Sequence, residues 1–245
     1  MLKLLRKWRT KPRKRYVFWL VAALAAALVL PLLWSLVYPP LGGLAQHNPT
    51  DTAFMAFRRD QAADAGKKYP ITWRWVPLSR ISPYLVQAVL IAEDDKFFAH
   101  DGFDWEAIRQ AVETNLEEGC LKLGASTVSQ QLARNLFLSP DKNLLRKARE
   151  AVLTWRLENA LNKKRILEIY LNVAEWGRGI FGAEAAARHY FHSPAATLAP
   201  LQAARLAAIL PSPLRYSPTG SSRFVNRRAE RILHIMQKRG LGKIW

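Results

Sequence analysis

The chain has 245 residues, half of them hydrophobic, a formal charge of +18 and a single cysteine, Cys120. That length fits one domain with an appended segment, and the lone cysteine excludes an intrachain disulfide and leaves no zinc or thiol-redox pattern. The charge calls for an anionic partner: nucleic acid, lipid headgroups or a phosphorylated substrate.

Residues 1–16 form a basic tail with eight cations, from Lys3 to Arg15, and no acid. Without them the remainder still carries about +10. Residues 17–38 are uncharged. At about 1.5 Å per residue they reach roughly 33 Å, enough to span a hydrocarbon core. Membrane helices tolerate a proline such as Pro31, and Trp19, Trp34 and Tyr38 lie towards the ends as interfacial aromatics do. The basic tail stays in the cytoplasm, so residues 39–245 are expected on the outer side of the inner membrane. That orientation speaks against nucleic acid. A cleaved signal peptide is the competing reading, with Gly43 and Ala45 as small residues near a cut, but its apolar core would run only about 7–15 residues.

Residues 39–70 read as a linker. Pro39, Pro40, Gly42 and Gly43 break the anchor, Asn48-Pro49 marks a turn, and 51–65 is compatible with a short helix. Residues 71–76 alternate as a short strand does. From 71 to 240 the pattern is helical and predicts one all-α domain. Ser82-Pro83 is a cap with a first-turn proline, followed by Leu85, Val86, Val89 and Leu90 at helical spacing. Asp104 caps a helix to residue 119, with Ala107, Ile108, Ala111 and Val112 on its apolar face. Further helices are expected over 127–135, 142–161, 163–171, 183–190, 198–210 and 223–239.

Three stretches concentrate the chemistry. Residues 92–100 place Glu93, Asp94 and Asp95 at a helix end among Phe97, Phe98 and Phe103. The negative helix C-terminus and the two aspartates should raise the pKa of Glu93 towards neutrality, where a general base works best. His100 reads as a hydrogen-bonded structural residue rather than a second catalyst. Residues 124–131 are a turn of hydroxyls and amides in which Ser126 or Thr127 caps a helix. Gln130 and Gln131 point to different faces, one buttressing the site and the other meeting a sugar. Arg134 shares the face of Gln130. Residues 146–151 set Arg146, Lys147 and Arg149 around Glu150: cations suited to a pyrophosphate, or a plain i,i+4 surface pair. Ser139-x-x-Lys142 matches a transpeptidase pattern, but no Lys-Thr-Gly follows. No phosphate-binding loop or dinucleotide fingerprint is present.

In order and spacing these blocks resemble the peptidoglycan glycosyltransferase family, most closely its monofunctional biosynthetic members, over about residues 73–236. The matching motifs are Glu93-Asp94-x-x-Phe97-x-x-His100-x-Gly102, Gly124-x-Ser126-Thr127-x-x-Gln130-Gln131-Leu132-x-x-Asn135 and Arg146-Lys147-x-x-Glu150-Ala151. They are followed by Lys164-Arg165-Ile166-Leu167-Glu168-x-Tyr170-Leu171-Asn172 and by a fifth block from Leu198 to Pro218. Two positions depart from the family pattern: Arg134 stands where lysine is usual, and Gln202 where glutamate is usual.

The resemblance implies a lysozyme-like, two-lobed helical fold. The smaller lobe would lie near 103–125, where Phe103, Trp105, Leu121 and Leu123 enter lipid. It implies an inverting polymerisation of lipid II into β-1,4 glycan strands, with Glu93 as base and Glu150 as second catalytic residue. The substrate-binding set is Ser126, Thr127, Gln130, Gln131 and Arg134, with Arg146 and Lys147 on the diphosphate, and Asp94, Phe97 and His100 around the base. No cofactor is obligatory; a divalent ion (magnesium or manganese) at the pyrophosphate is an open alternative. The expected partners are lipid II, the growing strand and anionic lipids of the inner membrane, with division or elongation proteins an open question. The competing functions are a lytic enzyme that cleaves existing glycan and a non-catalytic cell-wall scaffold.

Overall fold

The computed structural model describes residues 12–119, 125–141 and 143–244. The expected lipid-entering residues Leu121 and Leu123 lie outside that set, as does Cys120. Helix α1 (Pro12–Val37) contains the span Tyr16–Val37, whose 22 residues are long and apolar enough to cross a membrane. Beyond it come α2 (Ala53–Asp64), α3 (Pro83–Glu93), α4 (Trp105–Glu117), α5 (Val128–Phe137) and α6 (Leu144–Ala160). The chain continues through α7 (Lys163–Val173), α8 (Ala183–Phe191), α9 (Pro200–Ile209) and α10 (Arg223–Arg239).

Five of these ten helices start where a short polar side chain satisfies an orphan N–H. Thr52, Asp104, Asn143 and Asn162 accept from Met55, Ala107, Arg146 and Arg165 respectively. Ser82 differs from its expected role: Pro83 opens α3, and Ser82 Oγ instead donates to Leu198 O at 2.9 Å. α9 presents a small face of Ala203, Ala204, Ala207 and Ala208, on which α3 and α10 pack closely. Leu85 and Val89 of α3, Leu132 of α5 and Leu167 of α7 are wholly buried and join the same core.

The all-α class holds, with one small addition. β1 (Thr72–Trp73), β2 (Glu175–Gly177) and β3 (Ile180–Phe181) make a three-stranded sheet in the order β1-β3-β2. β1 runs parallel to β3, with Thr72 opposite Ile180, and β2 is antiparallel to it. β1 lies within the strand expected over 71–76, whereas β2 and β3 are too short to leave an alternation for a sequence reading to detect. The sheet places Trp176 in the core. Asn172 joins it to α7: its amide accepts from Val76 N at 3.0 Å and donates to Val76 O at 2.9 Å.

The linker expected over 39–70 is instead packed onto the domain. Leu41 and Met55 are buried, Thr52 caps α2, and Arg58 pairs with the buried Glu175 at 2.8 Å. Helix α2 packs against α5 and buries Met55. α4 is the opposite case: it buries none of its residues and exposes Trp105, Val112 and Leu116, with Phe103 stacked on Trp105. α1 seats its C-terminal end on α6. Arg156 donates to Ser35 O, Val37 O and Pro39 O, satisfying carbonyls that the end of a helix leaves orphaned.

Replacing Asn172 by alanine leaves both polar groups of Val76 unpaired in the interior. The expected loss of stability is about 2–4 kcal/mol, read as a lowered midpoint of guanidinium unfolding in detergent.

Candidate active site

Glu93 is the last residue of α3, a helix whose turns before it are buried. Its side chain is 10% exposed. Two hydrogen bonds fix the carboxylate: Gln131 Nε2 donates to Oε2 at 2.9 Å, and Arg228 Nη2 to Oε1 at 3.1 Å. Gln131 is oriented in turn, because Tyr170 Oη donates to its Oε1 at 3.1 Å. Burial and the neighbouring Glu93 push the Tyr170 phenol well up, so it remains a donor. Burial likewise pushes the Glu93 carboxyl up, and the Gln131 bond with the charges of Arg228 and Arg134 takes back part of that rise.

The direction agrees with the sequence reading, but the cause differs. The two aspartates expected to repel Glu93 are occupied elsewhere. Asp94 accepts from Val128 N and bonds His100 Nε2, each at 2.9 Å, while Asp95 pairs with Arg239. Asp94 therefore ties the end of α3 to the start of α5, where the helix leaves N–H groups unpaired. Gly102 N donates to His100 Nδ1 at 3.1 Å, which leaves the ring hydrogen on Nε2 facing Asp94. Gly102 itself has φ +90°, and a Cβ there would come within 2.9 Å of Glu158 and Thr154. Phe97 is 1% exposed, in the core beneath the ammonium of Lys163. Phe97 is thus part of the buried frame behind Glu93, while the largely buried Asp94 and His100 tie that frame to α5, and Asp94 also lines the hollow that Glu93 faces.

The second motif divides its labour. Thr127 caps α5 and donates to Gly102 O at 2.7 Å, and Gln130 closes a capping box by accepting from Thr127 N at 3.0 Å. Of the two glutamines, Gln130 is the buttress and Gln131 the one on the base. Arg134 lies one turn beyond Gln131. Together they line a cavity of about 360 Å³ with Tyr170, Arg58 and Arg215. Glu93, Ser126 and Thr127 line a second hollow of about 340 Å³, and Arg228 a third of about 610 Å³. Glu93 faces the second hollow, and its two partners, Gln131 and Arg228, line the first and the third.

The third motif is no surface pair. Glu150 is 1% exposed and holds Arg146 at 2.5 Å and Lys147 on separate oxygens. Lys147 also reaches Ser126 Oγ at 3.2 Å, bringing its charge to the groove of Glu93. Arg146 turns to Asp141 O and Glu150. The expected cation clamp is therefore split: Arg134 beside the base, Lys147 at the groove, Arg146 as a support. Both oxygens of Glu150 are taken by cations, and among the described residues no three His, Cys, Asp or Glu gather as metal ligands. These residues do not fit a divalent ion at Glu150. Gln202 accepts from Ala199 N at 2.8 Å, so at that position the amide serves the start of α9.

Arg228 was missed in the sequence. The apolar face of α10, Val225, Ala229, Ile232 and Met236, is legible from its spacing. Which of the arginines between them turns to Glu93 is decided by the packing of α10 on α3.

A mostly buried carboxylate with the guanidinium groups of Arg228 and Arg134 beside it suits group transfer from an anionic donor. Comparison with known proteins gives that chemistry its family. The transglycosylase family model matches residues 63–237. The biosynthetic peptidoglycan transglycosylase of Azoarcus sp. (strain BH72) is 50% identical over 199 residues, covering 81% of this chain and 86% of that protein. Those of Dechloromonas aromatica (strain RCB) and Laribacter hongkongensis (strain HLHK9) are each 46% identical over 222 residues, covering 91% and 90% of this chain and 95% and 96% of their own. The chain belongs to the transglycosylase family, as the ordered motifs anticipated.

If Glu93 serves as a general base, turnover rises with pH through its pKa, and removing a neighbouring cation raises that pKa. Arg228→Gln should then move the acidic limb of the kcat/KM profile to higher pH, with Arg228→Lys moving it less.

Proposed function

We propose that this protein polymerises lipid II into β-1,4 glycan strands, with Glu93 as the general base. The observation that carries the reading is the Glu93 carboxylate, held by Gln131 and Arg228, raised in pKa by burial, and facing a hollow lined by Ser126 and Thr127. Glu93 takes the proton of the acceptor sugar's 4-hydroxyl. That oxygen attacks the donor's anomeric carbon on the face opposite the diphosphate, and an α-linked donor becomes a β-linked product. The donor occupies the cavity of Arg134, and the charge growing on the leaving undecaprenyl pyrophosphate meets Arg134 and Lys147, the largest electrostatic task of the step. Glu150 holds Lys147 and Arg146 in place, and Ser126 offers a hydroxyl beside that ammonium. The proposed reaction calls on no obligatory cofactor.

The same reading places α1 in the inner membrane with the basic tail inside and the catalytic domain outside, since cations concentrate before the span and not after it. The exposed face of α4, Trp105, Val112 and Leu116, lies at the membrane surface, where lipid-linked donor and acceptor are both confined. Anionic headgroups suit the chain's positive charge.

Glu93→Gln is expected to lower lipid II polymerisation by about 10²–10⁴-fold while the protein stays folded. Near-normal strand synthesis by that variant removes the assignment. Incubation of wild type with intact sacculi separates polymerisation from lysis, since a lytic enzyme dissolves the wall. Arg134→Ala should cost about 10²-fold in turnover, seen in a gel of labelled glycan strands, with much of the loss recovered in Arg134→Lys.

A further inference from the structure

The outer end of α1 carries a polar seam. Ser35 is wholly buried; its Oγ donates to Pro31 O at 2.8 Å and accepts from Arg149 Nε at 3.1 Å. Arg149 belongs to α6, and it lines an open groove of about 640 Å³ whose other walls are Leu30, Pro31, Leu33, Trp34 and Val37 of α1. Ser35 is two residues from the end of the apolar span, so about 3 Å inside it. A guanidinium at the edge of the hydrocarbon is costly unless an anion or water meets it.

No carboxylate supplies that anion. Among the described residues Arg149 has no acidic partner. Arg156, two turns along the same face of α6, spends its N–H groups on carbonyl oxygens. The groove thus combines apolar walls with one guanidinium, Arg149, that no described carboxylate meets, and Arg156 adds a second positive charge two turns further along α6. An acyl chain fits the walls, and a phosphate diester fits a guanidinium. Positive charge without a carboxylate favours a headgroup of net negative charge over one that also carries a choline ammonium.

We propose that this groove binds one acidic phospholipid, its phosphate on Arg149 and an acyl chain along Leu30, Leu33 and Val37. The bound lipid fastens the anchor to α6, the helix that also carries Lys147 and Glu150, and so sets the height of the site above the bilayer. The inference rests on the membrane placement of α1 proposed above and not on the role of Glu93.

The full chain in phosphatidylcholine nanodiscs, doped with a phosphatidylglycerol bearing a diazirine on its acyl chain, tests it. Labelled peptides are mapped by mass spectrometry. Labelling of residues 30–37 should exceed that from a matched phosphatidylcholine probe by about fivefold, an excess that Arg149→Gln loses and Arg149→Lys largely retains. Equal labelling by the two probes, label spread evenly along 16–37, or an Arg149→Gln variant labelled like wild type overturns the proposal. The comparison of probes on wild type decides the matter even if a variant fails to insert. Strand synthesis measured on the same nanodiscs distinguishes loss of this site from failure of the polymerase reading.

Discussion

Two hydrogen bonds to one hidden carboxylate are the contacts on which the site depends. Glu93 is withdrawn from water, and the groups that hold it are themselves held: Gln131 by Tyr170, and the end of α3 by the bond from Asp94 to the first turn of α5. Burial raises its pKa, and the Gln131 bond with the charges of Arg228 and Arg134 lowers it. The balance leaves the carboxyl above its ordinary range.

The helix α6 links this chemistry to the membrane. On one side it presents Lys147 and the buried Glu150; on another it receives the end of the anchor through Arg149 and Arg156. The anchor is therefore packed against the same rigid element that carries the cations. The segment between anchor and core adds to this. Met55 is buried and Arg58 reaches Glu175, so α2 is part of the domain.

Much of the fold was legible because its signals are local. Caps such as Asp104 and Thr127, the apolar spacing in α3 and α10, and the uncharged run before residue 39 are each read within a few residues. Of the sheet only β1 was legible, within the strand expected over 71–76; β2 and β3, of three and two residues, escaped because they are too short to show alternation. The motif residues were legible as a set but not by role. Phe97 carries the same side chain whether it faces a ligand or the core, and only its enclosure distinguishes the two.

By itself the sequence determined the helices, the length of the anchor, the positive charge and the carboxylate at the end of α3. All of these follow from interactions between residues no more than about one helical turn apart, or from composition. Tertiary structure alone decided that Arg228 bonds a glutamate 135 positions earlier, that Gln131 rather than Gln130 touches it, and that Arg146 supports while Lys147 reaches the groove. Those choices depend on how α3, α5, α6 and α10 rotate against a shared core. Periodicity identifies a buried face, but only packing sets where its edge falls.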